Sequence, residues 1–262
     1  MVSDGTRLWW ITPGYGTTIV SCKIGGQNSV ELYPDSNRDE AGINGASLKL
    51  LTINASNLFF VREGVGLFKM PVDGGDSTKL IEGNIQDYII KDNMIYFSDF
   101  VSDITAVDGF YVLKSYNTDT QQIIEVDQLA TGKELLKIGG YIVGFLNDEL
   151  IYTRRDAEYK RGYYSYSKAG QSKSIPYEEG QKKEIEIAKN NFRPLNLEGS
   201  EVSRVEGKSL VMQYNKPGPN ILLLADGNNK KKIAEVNGDY SYLFTGQIFV
   251  LDREGNIEHI VF

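Results

Sequence analysis

Two segments of the chain concentrate charged side chains that could bind an ion or a partner. The first segment, 99–109, carries the carboxylates of Asp99, Asp103 and Asp108, and carboxylate oxygens are ligands that Ca²⁺ prefers. Their spacing differs from that of an EF-hand loop, and a calcium site needs about six to eight oxygen ligands. The sequence therefore favours a solvated acidic loop over a calcium site, and it predicts neither a metal nor a cofactor.

The second segment, 154–162, is basic and includes an aromatic ring. Its charged and aromatic members are Arg154, Arg155, Tyr159, Lys160 and Arg161. One interpretation is that these cations form salt bridges with the acidic loop of a neighbouring unit of the fold. The other is that they form a groove for an acidic glycan or protein, because guanidinium groups bind carboxylates through charge-assisted hydrogen bonds.

Two tyrosines add possible stacking surface to these segments. Tyr159 and Tyr177 fall in predicted loops, where an aromatic ring can stack against a sugar or a peptide. The predicted binding residues are therefore Asp99, Asp103, Asp108, Arg154, Arg155, Tyr159, Arg161 and Tyr177.

The chain offers little for nucleophilic catalysis. Nothing around its one histidine, His259, resembles the activating partner of a Ser-His-Asp or Cys-His enzyme. Its one cysteine, Cys22, lies in the apolar run 19–24 and is predicted to be a buried thiol, with no disulfide and no cysteine-based zinc site. These observations predict a protein that is not an enzyme.

The overall charge and the hydropathy pattern restrict the partners. The formal net charge is -7, which argues against nucleic acid because phosphates need a concentrated basic surface. No apolar run approaches the roughly 20 residues of a membrane span. Residues 1–6 lack the charged and apolar regions of a signal peptide. We expect a soluble monomer that does not insert into a membrane.

Short strands must position the charged segments. The stretch 58–83 predicts strands at 58–61, 67–72 and 78–81, separated by turns rich in Gly and Asp. The same pattern recurs in six units along the chain. Their second strands are continuous apolar runs, which indicate burial on both faces of the sheet. These runs are LWWI, LFFV, MIYF, LIYT, LVMQ and IFVL.

Radially packed sheets bury both faces of every strand in this way. The sequence therefore predicts an all-β fold, a six-bladed β-propeller of four-stranded antiparallel blades that forms a single domain over 1–262. Unit one lacks an inner strand and unit six lacks an outer one. Either the N- and C-terminal strands share one sheet, or one strand is missing from this chain.

The longest connection, 177–200, leaves room for an alternative. Within it, 183–188 alternates as KEIEIA, which is compatible with an extra strand and hence with a seven-bladed propeller. The connection has three interpretations, namely an extra strand, a short helix or a lid over one face of the propeller.

Two sets of residues resemble a known class of propellers. The turns before the outer strands repeat as KIGGQNSVEL, PVDGGDSTKL, SKAGQSKSI and LADGNNKKKI. The run Ile95-Tyr96-Phe97-Ser98-Asp99 resembles the Tyr-Trp-Thr-Asp signature, whereas Arg154 stands where the Asp would fall in unit four. The chain thus resembles TolB-like and low-density-lipoprotein-receptor-like (YWTD) propellers and a related bacterial propeller family of unknown function. This resemblance implies an extracytoplasmic or cell-envelope location and a structural role for Asp99 at a strand end.

The long connections fall on one predicted face of the propeller. In a four-stranded meander, the connections from second to third strand and from outer strand to the next inner strand leave the same end. This set holds nearly every long segment, including 34–46, 99–109, 127–134, 154–162 and 177–200. Because such loops usually carry binding, we expect a non-catalytic binding or scaffold propeller that recognises a protein or polysaccharide partner there.

An enzyme is the alternative hypothesis. Propellers can place carboxylates at the central channel, as a glycan-active hydrolase or lyase requires. The candidates are the acids that directly precede or begin the inner strands, namely Asp87, Glu201 and Asp239.

Overall fold

The computed structural model describes most of the chain. The described residues are 2–4, 6–11, 18–23, 29–33, 47–102, 109–129, 140–155, 158, 160–167, 170–190, 195–197, 200–205, 208–213, 220–226, 229–236, 240–244, 247–251 and 257–261. The chain forms two compact units. Unit 1 comprises Met1–Ile11 and Gly16–Glu184, and unit 2 comprises Thr12–Tyr15 and Ile185–Phe262. The single domain over 1–262 stays a prediction.

Unit 1 contains four four-stranded antiparallel sheets, each formed by strands that pair in chain order. Sheet 1 contains β1 (Val2–Ser3), β2 (Arg7–Ile11), β3 (Ile19–Lys23) and β4 (Val30–Tyr33). Sheet 2 contains β5 (Leu48–Asn54), β6 (Asn57–Arg62), β7 (Gly66–Pro71) and β8 (Thr78–Glu82). Sheet 3 contains β9 (Ile85–Lys91), β10 (Met94–Ser102), β11 (Gly109–Asn117) and β12 (Ile123–Gln128). Sheet 4 contains β13 (Ile142–Leu146), β14 (Glu149–Arg155), β15 (Arg161–Tyr166) and β16 (Ser172–Ile175).

The first sheet corrects one expectation. Unit one of the repeat has an inner strand, β1, whose Val2 pairs with Trp9 of β2. At two residues, this strand is too short to show the alternation by which strands are recognised in a sequence.

The second strand of sheet 2 is buried on both faces, as its apolar run predicts. Phe60 belongs to a core cluster with Trp9 and Tyr33 of sheet 1. Its neighbour Phe59 belongs to a cluster with Tyr88 of sheet 3. Because successive side chains of a strand point to opposite faces, one apolar run can contact both neighbouring sheets. A third cluster joins sheets 3 and 4, and its buried members are Leu113, Leu129, Ile142, Leu150 and Tyr152.

Hydrogen bonds across the sheet boundaries reinforce this packing. The indole Nε1 of Trp9 donates to the carbonyl of Val72 at 3.0 Å. The buried hydroxyl of Tyr88 lies 2.8 Å from the carbonyl of Phe59 and 2.5 Å from that of Leu50. The first strands are also neighbours, because β1 contacts β5, β5 contacts β9, and β9 contacts β13. Within unit 1, the sheets are therefore arranged as consecutive blades of a β-propeller.

Residues 177–190 form helix α1 (Tyr177–Asn190), which begins directly after Pro176. The interpretation of 183–188 as an extra strand was wrong. The seven-bladed alternative depended on that strand and therefore loses its support. Ile187 is buried while Ile185 is 49% exposed, whereas a strand would place both on one face. The buried or half-buried positions Gly180, Glu184 and Ile187 have helical spacing. Among the described residues, no helix is long and apolar enough to cross a membrane.

Unit 2 contains two antiparallel sheets. The five-stranded sheet contains β17 (Leu195–Leu197), β18 (Ser200–Val205), β19 (Lys208–Gln213), β20 (Asn220–Asp226) and β21 (Asn229–Val236). The three-stranded sheet contains β22 (Tyr240–Phe244), β23 (Gln247–Leu251) and β24 (Ile257–Val261). The predicted second strands LVMQ and IFVL lie within β19 and β23. The inner strands β18 and β22 contact each other, as the inner strands of unit 1 do.

Candidate functional site

Asp99 lies inside a strand and not in a loop. The predicted acidic loop starts later than expected, because pairing of β10 with β11 continues to Ser102 and Gly109. Asp99 is buried, with 7% of its surface exposed. Its carboxylate accepts hydrogen bonds from the backbone N–H of Asn84 at 3.0 Å and from Nζ of Lys114 at 2.8 Å. These contacts fix the connection between sheets 2 and 3, so the described role of Asp99 is structural.

In sheet 4, Arg154 occupies the position equivalent to Asp99. Its guanidinium carbon lies 4.8 Å from the centre of the Tyr164 ring. Its Nη1 lies 3.3 Å from the carboxylate of Asp127 on the outer strand of sheet 3. The Tyr152 hydroxyl also donates to Asp127. A salt bridge between neighbouring sheets was one of the two interpretations of the basic segment, and Arg154 makes one, although its partner is Asp127 on β12.

A β-bulge helps to position Asp127. In the pairing of β11 with β12, Leu113 opposes Asp127 and Lys114 opposes Glu125, which leaves Val126 as the extra residue. A bulge reorients the side chains beside it. Asp127 therefore reaches the next sheet, where it binds Tyr152 and Arg154.

The same position in sheet 2 is also an arginine on a ring. The guanidinium carbon of Arg62 lies 5.3 Å from the centre of the Phe68 ring. Phe68 pairs with Phe60 across β6 and β7, as Tyr164 pairs with Tyr152 across β14 and β15. Two of the sheets thus end their second strand with a guanidinium group held over an aromatic face, and the ring restricts its position.

Arg161 is the centre of a second polar cluster. Its guanidinium carbon lies 5.0 Å from the ring centre of Tyr141 and 4.6 Å from that of Tyr163. The carboxylate of Glu184 on α1 accepts hydrogen bonds from Arg161 and from the Tyr163 hydroxyl. It also accepts one from the Tyr141 hydroxyl at 2.7 Å. Three donors of sheet 4 and its preceding connection therefore converge on one carboxylate.

Close packing brings α1 to this cluster. A Cβ atom added to Gly180 would lie 2.2 Å from Cγ of Tyr163, so only glycine permits the observed distance between the helix and the ring. The ring of Tyr177, at the start of the helix, lies 5.5 Å from that of Tyr163. Tyr177 is 49% exposed and begins a helix, so the prediction that it lies in a loop was wrong, and its stacking role stays a prediction.

The other predicted residues are distributed as follows. Arg155 is half-buried in β14, and its backbone N–H donates to the carbonyl of Leu129 at 3.1 Å. Asp103, Asp108 and Tyr159 lie outside the described residues. Within the described part of the chain, no group of three or more His, Cys, Asp or Glu side chains is arranged to hold a metal ion.

Of the three candidate catalytic acids, the structure describes the side chain of Asp87 only. Asp87 is half-buried on β9, and it pairs with Ser98 of β10. Glu201 and His259 lie on β18 and β24, but the structure describes only their backbone, and Asp239 lies outside the described residues. Cys22 is half-buried on β3.

The sequence did not indicate Tyr141, Glu184 or Asp127 as members of these clusters. Tyr141 was assigned only to an inner strand. Glu184 lies in a segment with several other acids, and it differs from them only through helical spacing and the position of Gly180. Asp127 is displaced by a bulge, which the apolar and polar alternation does not reveal.

Burial and hydrogen bonding to carboxylates protect several of these tyrosines from ionisation. Burial, followed by the hydrogen bond to Glu184, raises the pKa of Tyr141 and of Tyr163. Burial, followed by the hydrogen bond to Asp127, raises the pKa of Tyr152. Burial is the largest cause of the raised pKa of Tyr88.

These shifts predict alkaline instability. Each folded-state pKa lies above the unfolded value of 10.0, so the stabilisation is complete below that pH and is lost progressively above it. We expect the free energy of unfolding in urea to be constant up to about pH 10, as far as these tyrosines determine it, and to fall progressively above it. In a titration of phenolate absorbance, a group of tyrosines should ionise only as the fold is lost. Ionisation of all 16 tyrosines with an unchanged far-ultraviolet circular dichroism spectrum would contradict this prediction.

Solved structures similar to the chain include TolB and propeller domains. TolB from Acinetobacter baumannii is 9% identical at a TM-score of 0.45, over 98% of this chain and 63% of that chain. A puromycin-hydrolyzing peptidase from Mycobacterium tuberculosis is 12% identical at a TM-score of 0.47, over 98% and 44%. The β-propeller domain of the Trilobed protease from Pyrococcus furiosus is 12% identical at a TM-score of 0.40, over 94% and 74%.

The chain thus spans less than two thirds of the TolB chain and less than half of the peptidase chain. No protein-family model matches the chain, and no curated protein matches it either. The resemblance to TolB-like propellers seen in the sequence recurs among the solved structures. At such low identities and TM-scores these are distant likenesses, and the case for the fold depends on the sheets themselves.

Proposed function

We propose that the chain is a non-catalytic recognition propeller of a bacterial cell envelope, built from six blades in one domain. It binds an anionic protein or polymer at the edge where the second strands of the blades end. The six sheets in chain order, each an antiparallel meander, support this number of blades.

The observation that carries the proposal is the repeated placement of arginine on an aromatic ring. Arg62 on Phe68 and Arg154 on Tyr164 occupy equivalent ends of second strands in two sheets. A ring beneath a guanidinium fixes its position while leaving its hydrogen-bond donors available at the edge. The side chain of Arg154 is 31% exposed, so it can contact a partner while still bound to Asp127.

The neighbouring basic segment extends this edge. Arg155 follows directly in β14, and the exposed Lys160 precedes β15, whose first residue is Arg161. Lys160 forms a salt bridge with Glu158 and Arg161 forms one with Glu184, so these two cations add hydrogen-bond donors to the edge but little unbalanced positive charge. The same edge is where the long connections of the repeat are predicted to leave the blades.

Binding of defined polyanions tests this proposal. We expect the protein to bind poly-L-glutamate or polygalacturonate and not neutral dextran. The double variant Arg154→Ala/Arg155→Ala should bind the same polyanion at least about tenfold more weakly, because charge-assisted hydrogen bonds are lost. The matched control is Lys173→Ala/Lys182→Ala, which removes two exposed cations of unit 1 from other positions. Titration calorimetry measures both, and thermal unfolding verifies that each variant is folded.

Equal weakening in the two double variants would show that only net charge matters and would overturn the proposed site. Retention of full affinity in Arg154→Ala/Arg155→Ala, or the absence of binding to both polyanions, would overturn it as well.

A further inference from the structure

The cluster around Arg161 has the composition of a carboxylate-binding site. Tyr141, Tyr163 and Arg161 all direct donors toward one carboxylate, that of Glu184. Hydroxyl and guanidinium donors that converge on a carboxylate form charge-assisted hydrogen bonds, which are the stronger class. We call Tyr141, Arg161 and Tyr163 the carboxylate cradle. Its occupant belongs to helix α1 of the same chain.

Glu184 leaves one donor of the cradle unused. Among the described residues, Nε of Arg161 is a buried donor that has no hydrogen-bond partner. Arginine can bind a carboxylate side-on through Nε and Nη together, which satisfies both donors. Glu184 contacts only Nη2 of Arg161. Helix α1 follows Pro176 directly, so its position is restricted by the connection to sheet 4. A buried donor without a partner is costly, so a carboxylate on a separate helix, which can shift until it also reaches Nε, would bind this cradle better.

The helix that carries Glu184 is suited to exchange. Gly180 lies in its first turn, and glycine weakens a helix relative to alanine. Most of its other described side chains are exposed, including those of Glu178, Gln181 and Lys182. The side chains of Arg161 and Glu184 are 26% and 22% exposed, so solvent and a competing ligand can reach the ion pair.

We propose that the carboxylate cradle is a recognition site for an acidic helical segment of a partner protein, and that Glu184 occupies it in cis until the partner displaces α1. This names the partner chemistry of the proposed recognition function and rests on that function. The packing of the helix on the cradle favours a peptide over a glycan. Gly180 lies directly on the Tyr163 ring, one helical turn before Glu184, so the site fits a helix with a small residue four positions before an acid.

A peptide with the sequence of 177–190 serves as the probe, beside a matched peptide in which the residue at the position of Glu184 is Gln. The protein carries Glu184→Ala, and the control is Glu186→Ala, which removes the same charge from an exposed position of α1. We expect the Glu184→Ala protein to bind the probe at least about tenfold more tightly than the wild type and the control do, because the competing cis carboxylate is gone. The matched peptide should not bind, and adding Arg161→Gln should abolish the gain.

Equal binding of both peptides, or no gain in Glu184→Ala, would overturn the proposal. A gain for polygalacturonate without a gain for the peptide would overturn the assignment to a protein partner. If Glu184→Ala does not fold, Glu184→Gln keeps the size of the side chain and serves in its place. In the wild type, excess probe should accelerate hydrogen exchange of α1, and unchanged exchange with bound probe would also contradict displacement.

The two proposals fail separately. The affinity of Arg154→Ala/Arg155→Ala for polyanions tests only the proposed function. The affinity of Glu184→Ala for the peptide tests only the proposal for the carboxylate cradle.

Discussion

Replacing Gly180 by alanine should detach helix α1 from sheet 4. The added Cβ would lie 2.2 Å from Cγ and 2.4 Å from Cβ of Tyr163. The Tyr163 ring cannot withdraw easily, because it is buried at 1% exposure and its hydroxyl is bonded to Glu184. Overpacking of this kind typically costs about 1 to 3 kcal/mol. We expect the free energy of unfolding to fall by about 2 kcal/mol, and hydrogen exchange of α1 to rise.

Helix propensity alone predicts that Gly180→Ala stabilises the protein, which is opposite to the loss of stability expected here, so the measurement distinguishes the two effects. An alanine in the interior of a helix is favoured over glycine by about 1 kcal/mol. Stabilisation by Gly180→Ala would therefore show that the helix does not pack on Tyr163. Lys182→Ala, on the exposed face of the same helix, is the matched control and should change stability by less than about 0.5 kcal/mol. A double variant with Tyr163→Leu should lose less stability than the sum of the single variants.

Detachment of α1 also has a consequence for the carboxylate cradle. If Gly180→Ala removes Glu184 from Tyr141, Tyr163 and Arg161, the cradle becomes available without any change in its own residues. The affinity for the peptide of 177–190 should then rise, as we also expect for Glu184→Ala. The two variants act through different atoms, so agreement between them would attribute the effect to the departure of the Glu184 carboxylate from the cradle.

The core of unit 1 follows from the sequence because its physical cause is local. A strand such as β6, with apolar side chains on both faces, has only one stable environment, which is between two other sheets. Phe59 and Phe60 therefore indicate not only a strand but also its two neighbours. The Gly and Asp turns separate these strands, and the predicted strands 58–61, 67–72 and 78–81 end within one residue of β6, β7 and β8.

Helix α1 could not be predicted by the same reasoning. The alternation of Glu184 to Ile187 fits a strand as well as a helix when only four to six residues are considered. The deciding signal spans eleven residues and consists of Tyr177, Gly180, Glu184 and Ile187, one of which is a glycine that contributes no hydrophobicity. The close approach of Gly180 to Tyr163 holds the helix on sheet 4, and this tertiary contact cannot be predicted from the local sequence.

The candidate site was predictable in part. The segment 154–162 contains Arg154 and Arg161, which are centres of the two clusters, but the sequence assigned them to one surface with Asp99. The structure gives them different partners, because Asp127 and Glu184 come from separate elements. Pairs that lie 27 and 23 residues apart cannot be chosen from among the many acids of the chain by spacing alone.

Replacing Asp99 by alanine should destabilise the protein most strongly among the charged residues considered. The change leaves Nζ of Lys114, whose side chain is 23% exposed, and the N–H of Asn84 without their acceptor. Removing one partner of a largely buried ion pair costs about 3 to 5 kcal/mol, and the partial exposure of Lys114 places the expected loss near the lower limit, about 3 kcal/mol. Asp99→Asn retains an acceptor for Asn84, so it should lose less stability than Asp99→Ala does. Urea unfolding of the two variants measures the difference.

The equivalent positions of sheets 2 and 4 provide a second test of the role of Asp99. Lys114 pairs with Phe97 as Tyr164 pairs with Tyr152, so Lys114 and Tyr164 occupy equivalent positions. Sheets 2 and 4 thus have an arginine over an aromatic ring where sheet 3 has Asp99 and Lys114. The double variant Asp99→Arg/Lys114→Tyr transplants the arrangement of sheet 4 into sheet 3. It should be more stable than Asp99→Arg alone, in which Lys114 and the new cation repel each other. If the double variant is instead no more stable than Asp99→Arg, the two arrangements are not interchangeable, and each blade depends on its own pairing with the preceding sheet.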